Sequence, residues 1–230
     1  IPFISRYRKE MTDGMDEVQL GDTKEQYDKL CELAKRKLAV LKSIEEQDKL
    51  TDELKSRIDN CWNITELEDI YLPYKPKRRT RAEIAREKGL EPFAKMLMKQ
   101  QSDDIERMAL NFVKGDVLDA DDALKGARDI IAEWVNESEA ARNAIRNIFA
   151  REAIISSKLV KGKEEEAQKY RDYFDMSEKL ARCSSHRLLA MRRGETEGFL
   201  RVNITPEDEN CLDRLDRIFV KGNTDSSNQV

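Results

Sequence analysis

A mainly helical fold without a large sheet is what this sequence predicts, and three observations predict it. The 230 residues include only 9 glycines and 5 prolines, too few turn formers for a many-stranded sandwich or barrel. Charged residues make up 38% and apolar residues 39%, against about 25% charged in an average domain. Finally, apolar residues recur at steps of three and four over most of the chain, the period of a one-sided helix. The expectation is an all-α multi-helix bundle, with at most one or two short strands near 198–204 and 218–220.

The elements follow in order. Pro2 suits a first helical turn, where its missing N–H is no loss, and this helix should fade near Thr12–Gly14. From about Thr23 to Gln47, Tyr27, Leu30, Cys31, Ala34, Leu38 and Leu41 make a continuous stripe. Glu25 and Lys29 support it as an i,i+4 pair with the acid N-terminal. Thr51 caps a shorter helix. Thr65 with Glu68, and Thr80 with Glu83, have the spacing of capping boxes, and Gly89 closes the second of these helices. Pro92 opens the next, buried through Phe93, Met96 and Leu97. Helices are expected at roughly 103–113, 120–136 and 139–157. Segment 157–175 is polar, anchored by Tyr170, Tyr173 and Phe174. A helix from Ser184 or Ser185 ends at Gly194. Alternation over Gly198–Ile204 reads as a strand, with Ile218–Val220 as its one candidate partner and a helix starting near Pro206 between them. The tail KGNTDSSNQV reads as frayed.

Several function classes are disfavoured. The longest apolar runs fall far short of the roughly 20 residues that span a bilayer, so no membrane association is expected. A single histidine, His186, leaves no His-rich metal site and no evident general base; it reads as a partly buried residue bonded to backbone. There is no P-loop, dinucleotide fingerprint or nucleophile elbow. The acidic run at 116–124 lacks the Gly and Glu of a calcium loop, holding Asp121 and Ala127 there. The expectation is no enzyme, no cofactor and no metal. Cys31, Cys61, Cys183 and Cys211 are far apart in sequence and fit four free thiols in a cytoplasmic protein. The opening IPFISRYRKE has no signal peptide's pattern and no initiator Met, so the chain reads as a fragment of a longer protein.

With 42 basic against 46 acidic residues the net charge is −4, so any nucleic-acid site must be local. The densest cationic stretch is YLPYKPKRRTR, residues 71–81. Lys75, Lys77, Arg78, Arg79 and Arg81 place five charges in seven positions, with Tyr71 and Tyr74 beside them. Cations meet phosphates and aromatics stack on bases; the competing reading is a solvated connector whose charges offset acidic helices. A second candidate is Arg142 and Arg146 with Asn143 and Asn147, read as a polar helix face opposite Ala141, Ile145 and Phe149 and able to meet base edges.

Five stretches together resemble the Tex family of bacterial transcription accessory proteins: IPFISRYRKEMTDGMDEVQL (1–20), LKSIEEQDKLT (41–51), TELEDIYLPYKPKRRTRAEIAREKGL (65–90), KGKEEEAQKYRDYF (161–174) and SSHRLLAMRRGETEGFL (184–200). The resemblance implies an N-terminal helical domain formed by 1–79 and 158–230, interrupted by a helix-turn-helix-like insert at 80–157. It further implies a longer protein in which an RNase H-like domain lacking catalytic acids, helix-hairpin-helix modules and an OB-fold RNA-binding domain follow. No residue-level site is carried over, so the site residues rest on charge alone. The expected role is a non-catalytic scaffold in transcription, touching RNA or DNA weakly. The alternative is a protein-interaction scaffold contacting RNA polymerase or ribosomal components. No heptad seam forces a dimer, and a monomer is expected.

Overall fold

A computed structural model describes residues 1–76 and 79–230; Lys77 and Arg78, both candidates above, lie outside the described residues. The chain forms two compact units, Ile1–Arg78 and Arg79–Val230.

Among the described residues the first unit holds four α-helices: α1 (Pro2–Tyr7), α2 (Glu17–Glu45), α3 (Asp52–Asn60) and α4 (Ile64–Tyr71). Pro2 occupies the first turn of α1 as expected, but the helix stops at Tyr7 and a 3₁₀ turn, Lys9–Met11, follows. α2 starts earlier than its apolar pattern, because Asp16 and Gln19 form a reciprocal capping box. Thr51 caps α3. The cap of α4 is Asn63 rather than Thr65, its side chain accepting from the Thr65 amide at 2.8 Å. Glu68, read as the other half of a box, is instead held by Arg36. The buried stripe of α2 also lies to one side of the predicted one. Leu33, Val40 and Ile44 are buried with Leu54, Ile58, Leu67 and Ile70, while Tyr27, Leu30 and Leu38 are 65%, 47% and 70% exposed. Periodicity alone selects a broad apolar arc; which part of it is covered depends on where α3 and α4 pack.

The second unit opens with α5 (Arg81–Glu87), α6 (Glu91–Met98), α7 (Ile105–Leu110), α8 (Ala120–Glu137) and α9 (Glu139–Glu152). Thr80 caps α5, Asp119 caps α8 and Ser138 caps α9. Their shared core gathers Leu90, Phe93, Leu97, Ile130 and Ile131, with Phe93 stacked on Phe112 at 5.0 Å.

Beyond α9 the chain departs from the helical reading of 139–157. Strand β1 (Ile154–Leu159) is the centre of a three-stranded antiparallel sheet, flanked by β2 (Asp175–Lys179) and β3 (Leu200–Thr205). The β-branched pair Ile154–Ile155 and two serines favour strand over helix, and both neighbours that pay out hydrogen bonds to β1 are distant in sequence. β3 is the predicted strand, but its partner is β1 and not 218–220, which closes α11 (Asp208–Phe219). The expected boundary at 157/158 falls inside β1.

Between β2 and β3 runs α10 (Ser185–Thr196), packed on β3. Gly194 does not end it. A Cβ there would come within 2.6 Å of Leu200 Cδ1, so this glycine allows close helix–sheet approach, and Gly198, at φ +75°, makes the turn. The C-terminal tail is ordered rather than frayed: Ser226 and Ser227 are buried, Ser226 donating to the Ser102 carbonyl and Ser227 to that of Thr224. Cys31, Cys61, Cys183 and Cys211 are free thiols. No helix among the described residues is long and apolar enough to cross a membrane.

Candidate nucleic-acid interface

The basic connector begins where α4 runs into a 3₁₀ turn, Leu72–Tyr74, built on Pro73. Tyr71 is core, not a stacking surface: it is buried, its hydroxyl lies 2.9 Å from Ser43 Oγ, and Arg36 covers its ring at 5.4 Å. Arg36 also donates to both carboxylate oxygens of Glu68, at 2.5 and 3.1 Å. That contact, more than the field of Lys75, holds the Glu68 carboxyl below its ordinary range. Tyr74 packs half-buried against the same core, and its carbonyl accepts from Gln47 at 2.8 Å. Lys75, next along, is exposed.

On the far side of the connector, in the second unit, Arg79, Arg81, Arg86 and Lys88 each meet an acid. Arg79 reaches Glu87 at 2.9 Å and Arg81 reaches Asp129 at 3.7 Å. Arg86 pairs with Glu133 at 2.6 Å and Lys88 with Asp122 at 2.8 Å. Arg79 and Arg81 remain 70% and 82% exposed at their side chains, so both can still meet a polyanion at the cost of a solvent-screened pair.

Arg142 and Arg146 are half-buried on α9. They do not lie opposite the apolar residues: at about 100° per residue, Arg142 and Phe149 fall within about 20° of each other. Both arginines line one groove of about 730 Å³ with Ile145, Phe149, Val135 and Leu215. Arg146 also donates to Asn143 at 2.9 Å. This geometry suits an amphipathic contact better than a polar reading face. His186 is exposed rather than partly buried, its Nε2 3.4 Å from Ser184 Oγ, because it sits in the first turn of α10 facing solvent.

Sequence reading missed a third cationic surface. One face of the sheet is buried, through Ile155, Ser157 and Leu200. The other carries three rows set by the ladder: Asp175, Lys158 and Arg201; Ser177, Ser156 and Asn203; Lys179, Ile154 and Thr205. Lys158, Lys179, Arg201, Ser177 and Asn203 are exposed. The ladder extends to Phe199, whose carbonyl accepts from Val160 at 2.9 Å. Its ring lies 5.3 Å from the Lys163 ammonium and 5.8 Å from that of Lys169. The available signal was the β-branched pair Ile154–Ile155, but a helix running to 157 concealed it.

The model of the Tex central region matches residues 100–225, and that of the Tex-like protein N-terminal domain matches residues 1–45. The transcriptional accessory protein Tex of Neisseria gonorrhoeae is 46% identical over 210 residues, covering 90% of this chain and 28% of that protein. Protein YhgF of Escherichia coli is 47% identical over 211 residues, 91% of this chain and 27% of the relative. The human S1 RNA-binding domain-containing protein 1 is 29% identical over 220 residues, 90% of this chain and 22% of the relative. The chain thus spans about a quarter of the length of these relatives.

Proposed function

The chain belongs to the Tex family of transcription accessory proteins, and from that premise we propose that it is a non-catalytic helical module acting in transcription, in the cytoplasm, in association with RNA or DNA. One observation carries this reading. Relatives named for transcription and for an RNA-binding domain align with nine-tenths of the chain, and the aligned stretch includes a connector whose cations Lys75, Arg79 and Arg81 are exposed. Lys77 and Arg78 join them as candidates from sequence. Lys75 follows the Pro73 turn and Arg79 precedes the Thr80 cap, so neither of these two cations lies within an α-helix. Exposed ammonium and guanidinium groups bind phosphates by releasing counterions, without sequence preference.

Five phosphate contacts give a slope of log affinity against log salt of about −4.5 on duplex DNA and about −3.5 on single strands. Titration of labelled RNA and DNA at several ionic strengths reads that slope. Loss of two charges in the Arg79→Ala, Arg81→Ala variant should flatten it by about 1.8 on duplex. A flat salt response of the unaltered chain sinks the proposal.

A second reading, a protein-interaction scaffold with RNA polymerase or ribosomal partners, is favoured by one feature. Trp62 is 74% exposed in a groove with Leu30 and Ile64, and exposed tryptophan is characteristic of protein contact sites. It predicts no nucleic-acid binding by this chain.

A further inference from the structure

The open face of the sheet has no role in the reading above, and its chemistry is specific. Lys158 of the central strand lies directly opposite Arg201 of β3. Like charges in register on neighbouring strands repel, so the pair works against the sheet unless an anion answers both. Asp175, opposite Lys158 on the other side, answers one of them. The next row, Ser156 with Ser177 and Asn203, offers hydroxyl and amide groups that both donate and accept. Lys179 adds a cation in the third row. At the other end stands Phe199, half-buried, with Lys163 and Lys169 in cation–π reach. Lys169 is also held by Glu197 at 2.6 Å, which leaves Lys163 as the freer charge there. The exposed Glu164, Glu165 and Glu166 that follow it close that side to a polyanion.

We infer that single-stranded RNA docks across this open face, its phosphates on Lys158, Arg201 and Lys179. The inference rests on the nucleic-acid reading of the module but places the contact on a different surface. Three strands about 4.8 Å apart, with rows about 6.8 Å apart, present a plate roughly 10 Å by 14 Å. That is too small for a duplex footprint and fits a few nucleotides of a single strand. The middle row of hydroxyl and amide groups is suited to the ribose 2′-OH, the group that separates RNA from DNA, and this selects RNA as the occupant.

The test is fluorescence anisotropy of the 230-residue chain with labelled 20-mers of uridylate and of thymidylate, between 0.05 and about 0.3 M salt. Four proteins are compared: unaltered, Lys158→Gln with Arg201→Gln, Ser156→Ala with Asn203→Ala, and Arg79→Ala with Arg81→Ala. Removing two phosphate contacts should weaken uridylate binding roughly 25-fold at 0.1 M salt and flatten the salt slope by about 1.4. The Ser156, Asn203 variant should lose preference for uridylate over thymidylate. Far-UV circular dichroism and thermal melts confirm that the substitutions leave the fold intact. Full affinity in the Lys158, Arg201 variant with loss in the Arg79, Arg81 variant overturns the sheet site and leaves the connector reading standing. Equal binding of the two oligonucleotides by the unaltered chain overturns the assignment to RNA. No binding of either by the unaltered chain overturns both proposals.

Discussion

Gln100 closes on the backbone of Lys221, accepting its amide at 2.6 Å through Oε1, which also accepts from Gly222 at 3.1 Å. Its Nε2 donates to the Phe219 carbonyl at 2.7 Å, and its own carbonyl accepts from Thr224 Oγ1 at 3.0 Å. One buried amide after α6 therefore fastens the end of α11 and the polar tail. The residue sits at φ +54°, a left-handed conformation that a side chain adopts at some cost. Gln100→Ala keeps the strain and removes three side-chain hydrogen bonds, so it should cost about 2–3 kcal/mol. Gln100→Gly removes the same bonds but relieves the backbone, so it should be the milder change. Urea unfolding ranks the two; hydrogen exchange should show the amides of Lys221 and Gly222 losing protection in both. Equal protection in all three proteins would refute the clasp.

Gly126 offers a case where helix propensity and packing disagree in sign. It lies inside α8, where alanine is favoured over glycine by about 1 kcal/mol. A Cβ at this position would collide with Leu90 Cδ1 and stand 3.2 Å from Ala85 Cβ. Leu90 is fully buried and has no solvent to retreat into, so overpacking of about 1–3 kcal/mol outweighs the propensity gain. Gly126→Ala should lower the urea midpoint, and a paired Leu90→Val change should recover part of the loss. A rise in the midpoint of the single variant would show that Leu90 repacks freely.

How far these features were legible depended on whether their cause was local. Caps at Thr51 and Thr80 need only three neighbouring residues, and both could be read directly. The strand at 200–205 was visible as alternation, yet its partner at 154–159 was hidden because pairing is a relation between segments 41 to 51 residues apart. The same limit applied to Gln100, whose three acceptors and donors lie about 120 residues downstream. Gly194 looked like a helix end because glycine usually is; only the proximity of Leu200 reveals its other use. For the site, the density of charge in 75–81 was plain, whereas the acids that answer Arg79 and Arg81 come from Glu87 and from α8. The sheet face was unreadable without the register that sets Lys158 beside Arg201.

The Arg36–Glu68 pair makes an acid-dependent contribution to the first unit. Arg36 lowers the Glu68 carboxyl from its ordinary 4.5, so the folded value lies below that of the unfolded chain. The stabilisation is then complete above the unfolded pKa, including neutral pH, and is lost as pH falls through the folded value. With side chains 36% and 39% exposed, solvent screening limits it to about 0.5–1 kcal/mol. Glu68→Gln should be less stable by that amount at pH 7 and indistinguishable at pH 2.5. A difference that persists unchanged into acid would mean that shape, and not charge, makes the contact.

Ser157 sits at the centre of β1, fully buried, opposite Met176 on one side and Val202 on the other. Its hydroxyl has no hydrogen-bond partner among the described residues. Its backbone keeps the ladder whatever side chain it bears, so the hydroxyl alone is at issue. A buried polar group without a partner costs about 1–3 kcal/mol on mutational scales, and removing it should recover part of that. Alanine deletes one oxygen and leaves a void smaller than a methyl group, so the cavity cost stays below about 1 kcal/mol. The two terms differ in sign and the first is larger, so Ser157→Ala should raise the unfolding free energy by up to about 1 kcal/mol, where most core truncations lower it. Ile155→Ala, two residues earlier on the same buried face, is the contrast: it should cost about 2–5 kcal/mol. Thermal melts of both variants decide the matter, and a marked loss in Ser157→Ala would mean that the hydroxyl is satisfied in solution.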